Sequence, residues 1–415
     1  MTGRKDRMRD NQLVIRVSVP QMALYMLAVI FVLEMRSVWT SITRFNRVNE
    51  ILILAMVAVA TLLILSRKQY TRHFINGIIT SAVLCGYMFV YYFYDQYIYG
   101  AYSRLILRTI LRMCVVCLLC FAMTEEHKRR LFEMIENVIV VIAVVSLVFW
   151  LTGSVMGIIH PNGIEYTVWS IDGSEVAINK YYNIYFETQT QNFFGVRIVR
   201  NSAIFVESPM SSFMFCYGFL IELFKKKKTD VKKMAILTVA VLTTFSTTGY
   251  IVVIVALFIR YLLSRSHNQL TAVLRMAVIP VVLIAVIIVV EQLLETKMDS
   301  TSGSARMDDF VAGFKAWMDH PLMGNGFSNN SAILQYMSTY RIKNTGFSNS
   351  LMQILSYGGL YLLAPYVGAA VYGIYKIVRR RDWNELAFTV LFIVMFVFTV
   401  TSFQMLSIFT FFSIV

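Results

Sequence analysis

Long apolar runs alternate with short basic clusters along this chain, and two long polar interruptions, near residues 160–200 and 292–347, break the rhythm. Runs such as 134–159 and 272–290 are long enough to cross a bilayer core of about 30 Å as helices. The expectation is an all-α, polytopic membrane helix bundle forming a single integral domain over residues 1–415. Chemistry is then to be sought in the two interruptions.

Composition agrees. Hydrophobic residues make up 57% and charged residues 15% of the chain, against about 45–50% and about 25% in soluble domains. A net charge of +14 would suit nucleic acid, but the basic residues sit between apolar runs, as topology signals do. No basic patch is interleaved with a soluble fold, which disfavours nucleic-acid binding. Arg4, Lys5, Arg7, Arg9 and Arg16 precede the first run, and Glu34-Met35-Arg36 follows it where a cleavage site would need small residues. The first run therefore reads as a retained anchor. Cys114, Cys117 and Cys120 recur every third residue. With no His or carboxylate beside them they read as small residues packing between helices rather than metal ligands.

Eleven helices are expected, near 18–38, 49–66, 74–94, 104–123, 134–159, 203–224, 233–247, 250–263, 271–291, 348–375 and 386–412. With the N-terminus in the cytoplasm, Arg67/Lys68/Arg72, Lys128/Arg129/Arg130, Lys225–Lys228, Arg260/Arg265 and Arg379/Arg380/Arg381 all fall on that side, as the positive-inside rule requires. Keeping Arg260 and Arg265 there makes 233–263 a hairpin of two short helices broken at Ser246-Thr247-Thr248-Gly249. Both polar segments then face outward, at the cytoplasmic membrane of the cell. Cytoplasmic nucleotides are absent on that face, and no Gly-rich loop ending in Lys-Ser or Lys-Thr occurs. An activated substrate has to arrive by the membrane.

The first outer segment carries Tyr166, Trp169, Tyr181, Tyr182, Tyr185, Phe186, Phe193 and Phe194 among amides. This mixture suits sugar rings, and equally suits anchoring at headgroup level. It leads through Arg197 and Arg200 to Glu207. In the first turns of a membrane helix, Glu207 is either a functional carboxylate or half of a structural pair with Arg197 or Arg200. In the second segment Met307, Phe310, Val311, Phe314, Trp317 and Met318 share one helical face. Ser302 or Ser304 can cap that helix and Pro321 follows its end, so it lies along the outer leaflet or over a cavity. Arg306, in its first turn, either makes an anion site with free backbone N–H groups or faces headgroups. Arg104, Arg108 and Arg112 fall within an arc of about 80° over some 12 Å of helix. Arg112 must face a polar cavity or snorkel, and the three together suggest an anion path facing the bundle.

These residues resemble the O-antigen polymerase and O-antigen ligase membrane proteins over roughly 197–375. The resemblance rests on Arg200 followed by Phe205-Val-Glu207-Ser-Pro209, the break at Ser246–Gly249, and Ser304-Ala305-Arg306. It continues with Pro321-Leu-Met-Gly324-Asn-Gly326, and Asn349-Ser-Leu351-Met-Gln-Ile-Leu355 before Gly358-Gly359. It implies a glycosyltransferase with a GT-C-like bundle, moving a glycan from a polyprenyl diphosphate carrier to an acceptor on the outer face. By position Arg200 and Arg306 correspond to loop arginines that hold the diphosphate. Ligases carry a histidine directly before the motif Asn, and here that position is Ser348. The departure favours a polymerase of capsule, exopolysaccharide or O-antigen repeats, with a ligase or a lipid-linked oligosaccharide flippase as alternatives. No internal second copy of the 197–375 pattern appears, as many transporters would carry.

Catalysis of such a transfer needs charge stabilisation at the leaving diphosphate and removal of a proton from an acceptor hydroxyl. Arginines supply the first. A desolvated carboxylate supplies the second, with Glu207 the candidate base and Asp319 and His320 the lesser ones. Arg197, Arg104, Arg108, Arg112, Asn349 and His320 are the expected substrate contacts. Neither cofactor nor metal is expected. The partners are the lipid-linked oligosaccharide, the bilayer and other polysaccharide-assembly proteins.

Overall fold

The computed structural model describes residues 19–41, 47–65, 72–100, 104–168, 171–193, 196–264, 301–341 and 345–415, with four residue pairs between 279 and 292. The N-terminal basic cluster, Arg67, Lys68, Trp169, Phe194, Arg265 and most of the expected helix 271–291 lie outside those residues.

The chain is mostly helical. Its principal helices are α1 (Val19–Glu34), α2 (Val48–Leu65), α3 (Arg72–Tyr99), α4 (Arg104–Ala122), α5 (Glu125–Phe149), α6 (Ser208–Leu220), α7 (Val231–Thr243), α8 (Thr247–Leu263), α9 (Thr301–Asp319), α10 (Ser350–Arg380), α11 (Trp383–Val397) and α12 (Met405–Ser413). Five described helices are long and apolar enough to cross a membrane: Val48–Leu65, Phe74–Tyr99, Arg104–Ala122, Glu125–Val155 and Ser350–Arg380. Pro20–Glu34, Thr247–Leu263 and Trp383–Val397 are shorter apolar helices. Apolar side chains stay exposed around the bundle, as Ile75, Ile78, Ile79, Val83, Val90 and Phe93 do on α3, a surface suited to lipid tails rather than water.

Polar residues set the helix starts. Thr124 caps α5 by accepting from the N–H of His127, so this helix begins a turn or more before the apolar run that marks it in the sequence. Asp230 caps α7, Asn349 caps α10 and Asp382 caps α11 in the same way, each satisfying an otherwise orphan N–H. Pro209 lies in the first turn of α6, where its missing N–H costs nothing. The helix expected over 203–224 therefore starts at Ser208, and residues 201–206 form a buried non-helical segment. The run 233–263 is two helices. Lys225 pairs with Glu385, and Arg260 donates to Asn384 at 3.0 Å, so both ends of the hairpin return to one end of the bundle.

Two expectations are corrected here. Residues 160–200 are not an aromatic loop but two small antiparallel sheets. The strands are β1 (Gly163–Val168), β2 (Glu175–Tyr181) and β3 (Tyr185–Glu187), then the hairpin β4 (Thr190–Phe193) and β5 (Val196–Val199). Tyr182 and Asn183 both take positive φ, 52° and 59°, the tight turn that matches strand twist. Tyr181 and Tyr185 pack against Phe149, so much of the aromatic content is core. The run 386–412 is also two helices, α11 and α12, because residues 398–404 leave the helix.

The two interruptions meet at one end of the bundle, where Ile171 donates to Thr345 O at 3.2 Å and Asn330 donates to Ile171 O at 2.9 Å. The second is held down by a kink in α10. Gly359 has φ 57°, inside the helix, and the freed N–H groups of Leu360 and Tyr361 donate to Pro321 O and Leu322 O. Gly324, at φ 71°, lies so close to this kink that a Cβ would sit 2.4 Å from the nitrogen of Gly358. Both glycines are required by backbone meeting backbone.

Candidate active site

The segment Arg200–Glu207 enters the bundle between α5, α6 and α7. Asn201 is fully buried and donates to Ser146 Oγ at 3.2 Å and Thr243 Oγ1 at 3.0 Å. Ala203 takes φ 49°, and the chain then pairs briefly with the end of α1, where Val38 donates to Ile204 O and Val206 to Arg36 O. These bonds place Glu207 at the N-cap of α6, where helix dipole and carboxylate attract. Its ion-pair partner is Arg36, at 3.1 Å. Where Glu207 could be a functional carboxylate or half of a pair with Arg197 or Arg200, the pair it makes is with Arg36 instead.

Arg200 and Arg306 come together from opposite sides. Arg200 is half-buried and donates from Nε to Thr244 O at 2.8 Å. Arg306, also half-buried, donates to Thr248 Oγ1 at 2.8 Å and Phe398 O at 3.5 Å. It lies in the second turn of α9, since that helix starts at Thr301 and not at Ser304. Burial, and then the neighbouring Arg306 charge, hold the Arg200 guanidinium down at about 10. Burial likewise lowers Arg306, and Glu207 attracts both groups. Among the described residues neither arginine makes an ion pair. Among the described residues the hydrogen bonds of both go to neutral oxygens, an arrangement whose charge an anion would complement.

The remaining expected contacts are distributed differently. Arg197 is exposed on β5 and donates to Thr190 Oγ1 at 3.2 Å. Arg104 is exposed at the start of α4, Arg108 pairs with Glu50, and Arg112 pairs with Glu34 at 3.1 Å. Asn349 is buried and its side chain accepts from Met352 N, which occupies it as a cap. Asp319 and His320 end α9, about 20 Å along the axis from Arg306, and Asp319 accepts from Tyr336. Neither accompanies the arginine pair. Ser348 donates through Oγ and N to Asp309, at 2.7 and 3.0 Å. Burial pushes Asp309 up to about 6 against the pull of Arg341. Arg341 is buried and bonded to Asp308, Asp309, Ala305 O and Gly346 O. It clamps the second polar segment onto α9. The face of α9 that meets α10 carries Ala305, Ala312 and Ala316, and Met307, Phe310, Val311, Phe314 and Met318 are exposed.

Arg36, Arg341 and the break at 398–404 escaped the sequence reading. The break had a signal, Thr399, Thr401, Ser402 and Gln404 inside an apolar run. Glu34 and Arg36 likewise stood as paired charges at a helix end. Arg341 offered nothing beyond its presence in a polar loop. Among the described residues no group of three or more His, Cys, Asp or Glu is placed to hold a metal ion.

Residues 234–367 match a family model described as O-Antigen ligase. No curated protein matches the chain. The matched segment carries α7, α8, Arg306, the Gly324–Gly359 contact and most of α10, whereas Arg200 and Glu207 lie before it. Over that segment, about a third of its length, the chain is similar to the O-antigen ligase family.

Proposed function

We propose that this protein is a polysaccharide polymerase, joining polyprenyl-diphosphate-linked oligosaccharide repeats at the outer face of the cytoplasmic membrane. The observation that carries this reading is the unpaired Arg200–Arg306 pair beside Glu207. A leaving diphosphate needs such preorganised cations, because they act where charge develops and require no reorganisation. In the reaction an acceptor hydroxyl attacks the anomeric carbon of the donor glycan as the bond to the diphosphate oxygen breaks. Glu207 takes the hydroxyl proton, and the polyprenyl diphosphate leaves with its new charge against the arginines. The scheme draws on these residues and invokes no metal ion.

Transfer to a separate lipid acceptor is the second reading, supported by the description of the matched family. Ser348 speaks for the polymerase, because this serine serves the Asp309 clamp rather than acting as a base. Purified protein in lipid discs, supplied only with polyprenyl-diphosphate-linked repeats, should yield a ladder of longer lipid-linked glycans and free polyprenyl diphosphate. Product that appears only when a different lipid acceptor is added would select the ligase. Movement of unchanged repeats between leaflets, with no new bond, would select a flippase.

A further inference from the structure

A second cavity of about 310 Å³ opens at the same end of the bundle, between α1, α4, α10 and the segments 327–330 and 400–404. It falls in the size range of small-molecule sites, about 300–1,000 Å³. Arg36, Arg108 and Arg112 line it, yet each of the three is already matched by a carboxylate, Glu207, Glu50 and Glu34. Its wall is therefore polar with its charges cancelled, the opposite of the Arg200–Arg306 pair. Four amides, Asn49, Asn330, Gln353 and Gln404, line it from four different segments; each is held by at least one bond to a neighbouring protein group, and each NH2 has a second hydrogen beyond any such bond. Phe327, Phe347 and Phe403 supply apolar surface between them. Buried Arg112 keeps its Nε–H without a partner among the described residues.

We infer that this cavity binds an uncharged sugar unit of the acceptor glycan, resting on the transferase reading given above. Amides and a spare donor match ring hydroxyls, the phenyl faces match C–H faces, and compensated arginines offer nothing extra to an anion. Position supports the assignment. Arg36 lines the cavity and also holds Glu207, which attracts Arg200 and Arg306. Acceptor sugar, base and leaving group would then lie in that order. Tyr357 ties the wall together, donating to Asn330 and accepting from Gln353 at 3.4 Å.

The test uses the full chain in lipid discs with two probes, a lipid-free neutral repeat oligosaccharide and inorganic pyrophosphate. Gln353→Ala should weaken oligosaccharide binding at least tenfold and leave pyrophosphate binding unchanged, and Arg306→Ala should do the reverse. A Ser41→Cys chain, at the cavity wall, should lose oligosaccharide binding when blocked with a bulky neutral methanethiosulfonate and regain it after reduction. The unsubstituted chain treated in the same way should not change, so misfolding is separated from occlusion. Unchanged oligosaccharide binding in both the blocked and the Gln353→Ala proteins overturns the inference. Tighter binding of an acidic oligosaccharide than of its neutral counterpart overturns it as well. Pyrophosphate binding that ignores Arg306→Ala would instead remove the diphosphate reading and leave the sugar site standing.

Discussion

Two groups of arginines stand at one end of this bundle, and they differ in how their charge is met. Arg108 and Arg112 each face a carboxylate, Glu50 and Glu34. Arg200 and Arg306 face each other and neutral oxygens. An arginine that finds its counter-ion inside the protein contributes to folding, because removing it strands a buried charge. An arginine held next to another arginine carries a repulsion that Glu207 offsets in part, and on the proposed reading the anionic substrate offsets the rest. Residue type is alike in both groups. The role is decided by what the rest of the fold brings opposite.

The largest effect that tests this contrast is on stability. Arg112→Ala should lower the stability of the detergent-solubilised protein by about 3–5 kcal/mol, since Glu34 is left buried alone, and Glu34→Gln in the same chain should recover much of it. A variant with an unchanged melting temperature would put Arg112 in the same class as Arg306. Arg306→Ala and Arg200→Ala should leave thermal stability unchanged or slightly raised, yet cut transfer a hundredfold or more, about 3 kcal/mol at the charged leaving group. Lysine should restore only part of this, because it lacks the planar fork that grips two oxygens. Loss of folded protein in step with loss of transfer would break the comparison.

Gly359→Ala should cost about 1–3 kcal/mol, read as a lower melting temperature, because a side chain at positive φ is strained and its Cβ would meet Leu322 at 2.5 Å. No change there would mean that the clamp between α10 and the outer segment tolerates rearrangement. The smallest effect is at the sheet. Tyr182→Asn, at an exposed turn, should alter stability by less than about 0.5 kcal/mol and leave transfer untouched. A fall in transfer would return sugar contact to the aromatic strands.

Much of the bundle was legible because membrane helices carry their signal locally: apolar length, flanking charge and capping residues lie within each run. The hairpin at Ser246–Gly249 was legible for the same reason. Arg200, Glu207 and Arg306 could be singled out because a charge near an apolar run is conspicuous, and their meeting was implied by the resemblance. Their partners were not legible. Glu207 meets Arg36 across 171 positions and Met405 donates to Glu34 across 371, and neither spacing leaves a periodic mark. The strands in 160–193 were hidden because Tyr181, Tyr185 and Phe186 read equally as interface anchors, and only packing, of the tyrosines on Phe149 and of Phe186 on Trp39, separates the two.

The break between α11 and α12 has one more consequence. Within its span Phe398 accepts from Arg306 and Phe403 from Arg112, and Ser350 at the start of α10 is bonded to Thr399, Thr401 and Ser402. Those bonds make the segment a spacer of fixed length between Arg306 and the cavity lined by Arg112. Its side chains are constrained too, Ser402 by its bonds to α10 and Phe403 and Gln404 by their places in the cavity wall, and inserting or deleting a single residue would alter the distance between Arg306 and that cavity. Length and sequence are both fixed here.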